Sequence, residues 1–250
     1  MLKVSIITAS FNSQKTIQQT IESVAAQTYS NLEHIIADGK SRDATLKIIE
    51  KCKHPRLKYI SEPDLGIYDG LNRGIRLATG DIIGVIGSDD YYPNNNVIQK
   101  VVDAFTGNDT DSLYGDMQYV NEEGKIVRFW KGLEYRESRF LLGWMPHHLT
   151  FYLKKSIYER YGLYNTDFKI GGDYELMLRI LYKHKISTQY LPEVLVTMRT
   201  GGASTKNIRN RLRANLEDRR AWTLNGLQPK FYTLYFKPLL KIPQFFRRHA

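Results

Sequence analysis

The first 106 residues alternate short apolar runs with segments whose apolar residues recur at helical spacing. The apolar runs are VSIITA (4–9), LEHIIA (32–37), LKYIS (57–61) and IIGVI (82–86). Because each run is followed by a helical pattern, successive strands must be joined by crossover connections. The pattern therefore predicts a Rossmann-like α/β fold, with a mainly parallel sheet flanked by helices.

Polar residues follow three of these predicted strands at the point where each strand ends. They are Ser10 and Asn12 after the first strand, Asp38 and Ser41 after the second, and Ser88, Asp89 and Asp90 after the fourth. In open parallel sheets the ligand lies beyond the carboxyl ends of the strands. We therefore expect these side chains to share one crevice.

The adjacent carboxylates of Asp89 and Asp90 need a physical reason at the end of a buried strand. Two neighbouring charges of one sign, withdrawn from water, are unfavourable unless a cation neutralises them. Hard divalent cations prefer carboxylate oxygens and commonly bridge to substrate phosphates. The pair predicts a site where Mg²⁺ or Mn²⁺ holds a diphosphate. The alternative is a solvated turn before Pro93, since Asp and Asn favour turns.

Two further carboxylates lie in helical patterns. Asp69 shares a helical face with Asn72, either beside a ligand or as an ordinary polar face. Asp173 follows two glycines and opens a predicted helix over 174–183. It is a candidate general base, and the alternative is a helix N-cap.

Other candidate groups come from the second half of the chain. His147 and His148, in MPHHLTFY, either bind a metal ion or an acceptor or are structural histidines. The segment RTGGAST (199–205) contains Arg199, two glycines and Ser204. Such a segment suits a phosphate-binding lid or a flexible connector.

The pattern changes after residue 107. We expect a hairpin of strands 113–120 and 126–130, an irregular aromatic stretch over 140–152, two short strands broken at Pro192, and a basic helix over 207–222. Residues 1–205 should form one domain with halves 1–106 and 107–205. Residues 206–250 should form a basic, aromatic helical extension.

The extension carries nearly all of the net charge of +10, with eleven Lys and Arg against two acids. Such a segment suits an anionic membrane surface or nucleic acid. No apolar run approaches the roughly 20 residues of a spanning helix. A single cysteine, Cys52, excludes a disulfide framework and a cysteine-based zinc site.

Taken together and in order, these motifs resemble glycosyltransferase family 2 over residues 2–205. The resemblance is carried by VSIITASFN, ADGKSRDAT, EPDLGIYDGLNRGI, GVIGSDDYY, HHLTFY and GGDYELMLRI, and looks closest to the bacterial branch that builds O-antigen, capsule or exopolysaccharide. It implies the GT-A fold and a nucleotide-diphosphate sugar donor, a UDP-hexose or UDP-N-acetylhexosamine. Residues 1–106 would then bind the donor, and residues 107–205 the acceptor.

The resemblance also implies roles for individual residues. Donor-nucleotide binding would fall to Thr8, Ser10, Asn12, Asp38, Ser41, Asp69, Asn72, Ser88 and Asp89. Asp89 and Asp90 would hold Mn²⁺ or Mg²⁺, and Asp173 would be the base of an inverting transfer. His147, His148, Arg199 and Ser204 would lie on the acceptor or diphosphate side. Gly87 departs from the Asp or Asn common in relatives, which leaves a minimal acidic pair.

The resulting expectation is a metal-dependent inverting glycosyltransferase of surface polysaccharide biosynthesis. Its acceptor would be a glycan linked to polyprenyl diphosphate, and its location the cytoplasm or, peripherally, the inner face of the cell membrane. Aromatic and basic side chains of the extension would then meet anionic lipid. Alternatively, the extension is a helix folded back on the domain.

Two other classes remain as alternatives. A sugar-nucleotide nucleotidyltransferase is disfavoured because TASFNSQKT lacks the glycine-rich triphosphate loop, and the same segment lacks the G-x-G-x-x-G turn of NAD enzymes. A non-enzymatic nucleic-acid-binding protein is disfavoured because acidic strand ends repel phosphate. We therefore expect no nucleic-acid partner.

Overall fold

One half of the central sheet is fully parallel. The structure, a computed structural model, describes residues 1–52, 54–200 and 208–233. The parallel strands are β1 (Val4–Ser10), β2 (Leu32–Asp38), β3 (Leu57–Ser61) and β4 (Ile82–Val85). They lie in the order β3-β2-β1-β4. β2 and β4 are buried along their whole length, as expected for strands covered by helices on both faces.

Helices join these strands as the apolar spacing predicts. They are α1 (Ile17–Ala25), α2 (Thr45–Lys51), α3 (Ile67–Leu77) and α4 (Val97–Gly107). In α1, Ile17, Ile21 and Val24 form the buried stripe, and α3 buries Leu71 and Ile75 in the same way. The α/β prediction is therefore confirmed.

The second half of the chain extends the sheet with strands that pair mostly antiparallel. These are β5 (Ser112–Val120), β6 (Ile126–Trp130), β7 (Tyr152–Lys154) and β8 (Thr188–Arg199). The strand order continues β4-β7-β5-β6, and β8 pairs in parallel with β5. The predicted hairpin corresponds to β5 and β6.

Two sequence predictions in this half were wrong. The stretch over 140–152 is not wholly irregular, because β7 begins at its end and pairs antiparallel with both β4 and β5. The two strands expected around Pro192 form one strand, β8. Its register against β5 shifts between Leu191, which pairs with Gly115, and Val194, which pairs with Asp116. Pro192 lies in that shift, where its missing N–H does not interrupt the ladder.

The remaining helices lie in the second half of the chain. They are α5 (Glu137–Leu141), α6 (Lys155–Tyr161), α7 (Gly172–Met177) and α8 (Ile208–Leu224). A 3₁₀ turn covers His148–Thr150, and a π-helical turn, Leu178–Lys183, continues α7. The helix predicted over 174–183 thus begins two residues earlier and widens at Leu178, so that Leu178, Ile180 and Leu181 are all buried.

The C-terminal half of α8 packs against α7. Trp222 is fully buried, and its Nε1 donates to the hydroxyl of Tyr174 at 2.8 Å. Asn225 Nδ2 donates to Glu175 Oε1 at 3.2 Å. Part of the segment expected as an extension is therefore packed on the body of the protein. Within the residues that the structure describes, no helix has the length and apolar content needed to cross a bilayer.

The burial of Trp222 predicts that α8 contributes to global stability. We expect Trp222→Ala to lower the free energy of unfolding by about 3–5 kcal/mol, since it leaves a cavity and removes the hydrogen bond to the Tyr174 hydroxyl. Urea denaturation measures the loss. Leu216→Ala on the same helix is the control, because Leu216 is 71% exposed and should cost less than about 0.5 kcal/mol. Equal, small losses for both variants would contradict the packing described here.

Candidate active site

The ends of β1, β2 and β4 meet at one edge of the sheet. Ser10 and Asp38 are register partners at the last positions of β1 and β2. β4 runs beside β1, and Ile86 just beyond it donates its N–H to Ile7 O at 3.0 Å. The segment that carries Asp89 and Asp90 therefore emerges next to the β1 end. We call this edge the carboxyl rim.

The carboxylate of Asp38 is held by four hydrogen-bond donors. Oδ1 accepts from Ser10 Oγ at 3.1 Å and from Ser41 Oγ at 2.5 Å. Oδ2 accepts from the Ser41 N–H at 2.9 Å and from Ser61 Oγ at 2.7 Å. Asp38 is buried. Its position is therefore fixed, and it organises the floor of the rim between the first three strands.

The loop after β1 connects this floor to the loop after β4. Asn12, at a φ of 51°, donates its N–H to Ser41 Oγ at 2.8 Å and accepts from the Arg42 N–H at 2.9 Å. Ser13 Oγ lies 2.8 Å from Ser88 Oγ. Ser10, Asn12, Asp38, Ser41 and Ser88 are thus brought together at the rim, as the sequence predicts.

Three residues predicted to bind the donor have other contacts. Thr8 is fully buried and pairs with His34 Nε2 at 3.0 Å, so its side chain has no surface for a nucleoside. Asn72 is also buried, and both its polar atoms bond the backbone of Tyr164, at 2.8 and 3.0 Å. Asp69 pairs with Arg73 at 3.0 Å on the helix surface. The donor contacts expected of Thr8 and Asn72 are therefore not supported, since these groups are engaged inside the fold.

Asp90 is 2% exposed, whereas Asp89 is half-buried. Burial and, to a lesser extent, the charge of Asp89 raise the pKa of Asp90 to about 8. The Arg199 N–H, 3.3 Å from Oδ1, acts in the opposite direction. A Cβ at Gly87 would collide with the Asp90 carboxylate. Gly87 therefore lets this carboxylate fold back over the loop, which gives a physical reason for glycine in the motif.

The acidic pair has a chemistry that fits a divalent cation. Within the described residues, no three His, Cys, Asp or Glu side chains cluster as a complete metal site. Mg²⁺-type ions, however, commonly use only one or two carboxylates and take their other ligands from water and substrate phosphates. Asp90 is a buried carboxyl whose anion is poorly solvated by water, and Asp89 lies beside it. Such a pair suits a divalent cation.

Arg199 lies at the end of β8 beside the acidic pair. Residues 91 and 197 form an isolated antiparallel bridge, which brings β8 to the loop after β4. The Arg199 guanidinium lies 5.5 Å from the centre of the Tyr91 ring and donates to Gln19. Ser204, the other member of the predicted lid, lies outside the described residues.

Asp173 contacts one of the two adjacent histidines. His148 Nδ1 lies 3.1 Å from Asp173 Oδ2. Burial lowers the pKa of His148, but the hydrogen bond and charge of Asp173 and the charge of Asp90 outweigh it, so the net pKa is raised. His148 therefore lies within electrostatic range of both the acidic pair and Asp173. His147 stacks on His148, with ring centres 4.7 Å apart, and contacts Trp130 edge-on.

The segment before Asp173 is packed against α3. Tyr68, which sequence reasoning missed, donates to Ile170 O at 2.5 Å and lies 3.4 Å from Asp173 Oδ1. A Cβ at Gly172 would meet the Tyr68 ring at 2.7 Å. The N-cap of α7 is Gly171, so Asp173 is not the cap. Its carboxylate faces His148 and Tyr68, which favours a chemical role over capping.

Comparison with known proteins identifies the family. The sequence pattern of the family described as "Glycosyl transferase family 2" matches residues 5–169, two thirds of the chain. The chain belongs to this family. It is therefore a glycosyltransferase, and the sugar-nucleotide nucleotidyltransferase alternative falls away.

A relative from Mycobacterium tuberculosis supports the same family. It is an uncharacterised glycosyltransferase that is 34% identical over 179 residues, which are 70% of this chain and 68% of the relative.

Solved structures agree on the fold. Residues 1–349 of Staphylococcus aureus TarS, in complex with UDP, superpose with a TM-score of 0.65 at 18% identity, over 91% of this chain and 67% of that one. This chain spans 37% of a longer TarS chain. A Pyrobaculum calidifontis mannosyltransferase, in complex with GDP-Man and Mn²⁺, gives a TM-score of 0.67 at 18% identity, over 98% and 69%. The GT-A prediction is confirmed.

The raised pKa of Asp90 predicts an unusual pH dependence of stability. Its folded-state pKa of about 8 exceeds the ordinary 3.8, so the folded chain holds this proton more tightly than the unfolded chain. The stabilisation is complete below about pH 4 and is lost as the pH rises to 8, at about 1.4 kcal/mol per unit. The Asp90→Asn variant has no titratable side chain at this position. We therefore expect its stability advantage over the wild type to grow between pH 5 and pH 8.

Urea denaturation in EDTA at several pH values measures this difference. The control is Asp103→Asn, at an exposed position on α4. Parallel pH profiles for the wild type and Asp90→Asn would show that the Asp90 carboxyl is an ordinary solvated group.

Proposed function

We propose that this glycosyltransferase is an inverting, metal-dependent enzyme that moves a hexose or N-acetylhexosamine from a UDP-sugar to a hydroxyl of a glycan acceptor. The observation that carries the proposal is the position of His148. It contacts Asp173 at 3.1 Å, and Asp90 also raises its pKa. A candidate base and a candidate cation site therefore lie on one crevice, where donor and acceptor can be held together.

The rim residues suit recognition of the donor nucleoside. Ser10, Asn12, Asp38, Ser41 and Ser88 form a connected polar surface at the ends of parallel strands. Nucleotides bind at this position in open α/β sheets. The UDP complex of TarS supports a uridine nucleotide, whereas the GDP-Man complex of the archaeal mannosyltransferase keeps a guanosine nucleotide as the alternative.

Asp89 and Asp90 would hold Mn²⁺ or Mg²⁺. When bound, the cation supplies charge that neutralises the departing nucleoside diphosphate. The Mn²⁺ complex of the archaeal mannosyltransferase supports this requirement.

Asp173 would take the proton from the acceptor hydroxyl. A general base must be held within hydrogen-bonding reach of that proton. His148 bonds Oδ2 and Tyr68 lies near Oδ1, so the carboxylate has a defined orientation. Direct attack by the acceptor would invert the anomeric centre, and an α-linked donor would give a β-linkage.

For the acceptor, we propose a glycan linked to polyprenyl diphosphate in bacterial surface polysaccharide synthesis, of the O-antigen, capsule or exopolysaccharide type. His147 and His148 would contact the acceptor, and Arg199 the diphosphate side. The enzyme would act in the cytoplasm or peripherally on the inner membrane face. Lys230 and the 85% exposed Phe231 lead into residues 234–250, which lie outside the described residues. Mixed basic and aromatic segments favour an anionic lipid surface.

Membrane association is tested by shortening the chain after Thr233. That end point keeps all the described residues of 208–233, including the buried Thr233 and the packed Leu227. We expect the full chain to sediment with phosphatidylglycerol vesicles and the shortened chain to lose binding, since each basic residue near anionic lipid contributes about 1 kcal/mol. Phosphatidylcholine vesicles are the control. Equal sedimentation of both chains would remove the proposal.

The donor assignment is tested by thermal unfolding with UDP, GDP, ADP or CMP, each in Mn²⁺ or EDTA. We expect UDP with Mn²⁺ to raise the melting temperature by about 5–10 °C near saturation, because only the folded chain binds it. Asp90→Asn should abolish the rise. Asp173→Asn is the matched control, since it should keep the rise yet lose transfer. A rise that does not need metal, or its loss in Asp173→Asn, would contradict the assigned roles.

A further inference from the structure

A carboxylate on α8 is bound to the segment that leads into Asp173. Glu217 Oε2 accepts from the N–H groups of Ile170 and Gly171, both at 2.8 Å, and from the Lys169 N–H at 3.1 Å. Glu217 is 7% exposed. Three successive backbone donors just before α7 therefore converge on one side chain from a distant helix.

The charge of Glu217 suits this task. Burial raises the pKa of the carboxyl, but the N–H groups of Gly171 and Ile170, the Arg213 guanidinium and the Lys169 N–H outweigh it, so the net pKa is lowered. Glu217 is thus an anion at neutral pH. Hydrogen bonds from N–H groups to an ionised carboxylate are stronger than bonds between neutral groups.

α8 also holds the residues on the other side of Asp173. Trp222 donates to the Tyr174 hydroxyl and Asn225 to the Glu175 carboxylate, as described above. α8 and Asn225, which follows it, therefore bind the segment before Asp173 through its backbone and the two residues after Asp173 through their side chains. Between these held residues, the Asp173 carboxylate contacts His148 and Tyr68.

We propose that Glu217 is a positioning residue, whose carboxylate gathers the N–H groups of residues 169–171 and so sets Asp173 against His148. The inference rests on the proposed role of Asp173 as the base. The family match ends at residue 169, so this contact comes from a part of the chain beyond the matched segment. A displacement of a base by about 1 Å can cost on the order of a hundredfold in rate.

The experiment follows the pKa of the His148 imidazole by NMR in the full chain, free of metal. The groups that face this imidazole are Asp173, Asp90 and the stacked His147. In Glu217→Gln, a neutral amide replaces the carboxylate, so the three N–H groups have at most an uncharged oxygen as their common acceptor and their bonds to it are weaker. We expect the pKa of His148 to fall by roughly one unit, because an opposite charge at contact distance accounts for 1–3 units. The His148→Asn variant assigns the resonance.

Two variants separate positioning from stability alone. Trp222→Phe removes the bond to Tyr174 and weakens the packing of α8, yet leaves the Glu217 contacts in place. Arg213→Gln removes the ion pair with Glu217, at 3.0 Å, and also keeps those contacts. Both should leave the pKa of His148 within about 0.2 units of the wild type. Glu217→Asp, which keeps the charge but withdraws the oxygens, provides a second test should Glu217→Gln fold poorly, and it should also lower this pKa.

An unchanged pKa of His148 in a folded Glu217 variant overturns the inference, even where UDP and Mn²⁺ still stabilise the protein. An equal fall in Trp222→Phe also overturns it, since general loosening would then explain the effect. A fall confined to the Glu217 variants, in a protein that no nucleotide stabilises, supports the coupling and counts against the proposed function instead.

Discussion

The carboxylate of Asp90 lies over Gly87, withdrawn from water and beside the charge of Asp89. The ionised form of Asp90 is unfavourable there, and the Arg199 N–H together with the charges of His148 and Arg199 offsets only part of the cost, so its pKa is raised. The neighbouring structure keeps the group there all the same. β8 is bridged to the loop at Tyr91 and Thr197, and Thr20 Oγ1 donates to Asp90 O at 2.7 Å. Such an arrangement fits the proposed divalent cation, which would supply positive charge beside the carboxylate.

The crevice combines two ways of fixing a side chain. The rim residues stand at the ends of paired strands, so the sheet ladder and a network of hydroxyls position them. Asp173 instead follows a glycine-containing loop, which has no ladder to hold it. Tyr68 packs on this loop from α3, and Glu217 binds it from α8. A side chain at the junction of a loop and a short helix needs such support from neighbouring rigid elements if it is to act as the proposed base.

The parallel half of the fold could be predicted because its signals are local. Each strand there is a short apolar run, each helix shows its own spacing, and the polar strand ends converge by topology alone. β7 could not be predicted in this way, since its three residues gain their strand structure from pairing with β4 and β5. The single strand through Pro192 likewise depends on a register shift that only the partner strand reveals.

For the site, residue type predicted the rim but not the direction of every side chain. Thr8 and Asn72 belong to the expected motifs, yet the sheet interior and the Tyr164 backbone engage them. The role of α8 was missed because its basic composition dominated the interpretation. A signal was present: Glu217, Asp218, Ala221, Trp222 and Asn225 recur at helical spacing and are buried, whereas the basic residues Arg219 and Arg220 are exposed.

Anomalous diffraction at the manganese edge, from crystals grown with UDP and Mn²⁺, tests the central claim most directly. The account predicts one strong peak at the carboxyl rim, about 2 Å from a carboxylate oxygen of Asp89 or Asp90 and in contact with the diphosphate. A nucleotide bound elsewhere, or bound at the rim with no manganese peak beside this pair, would contradict it.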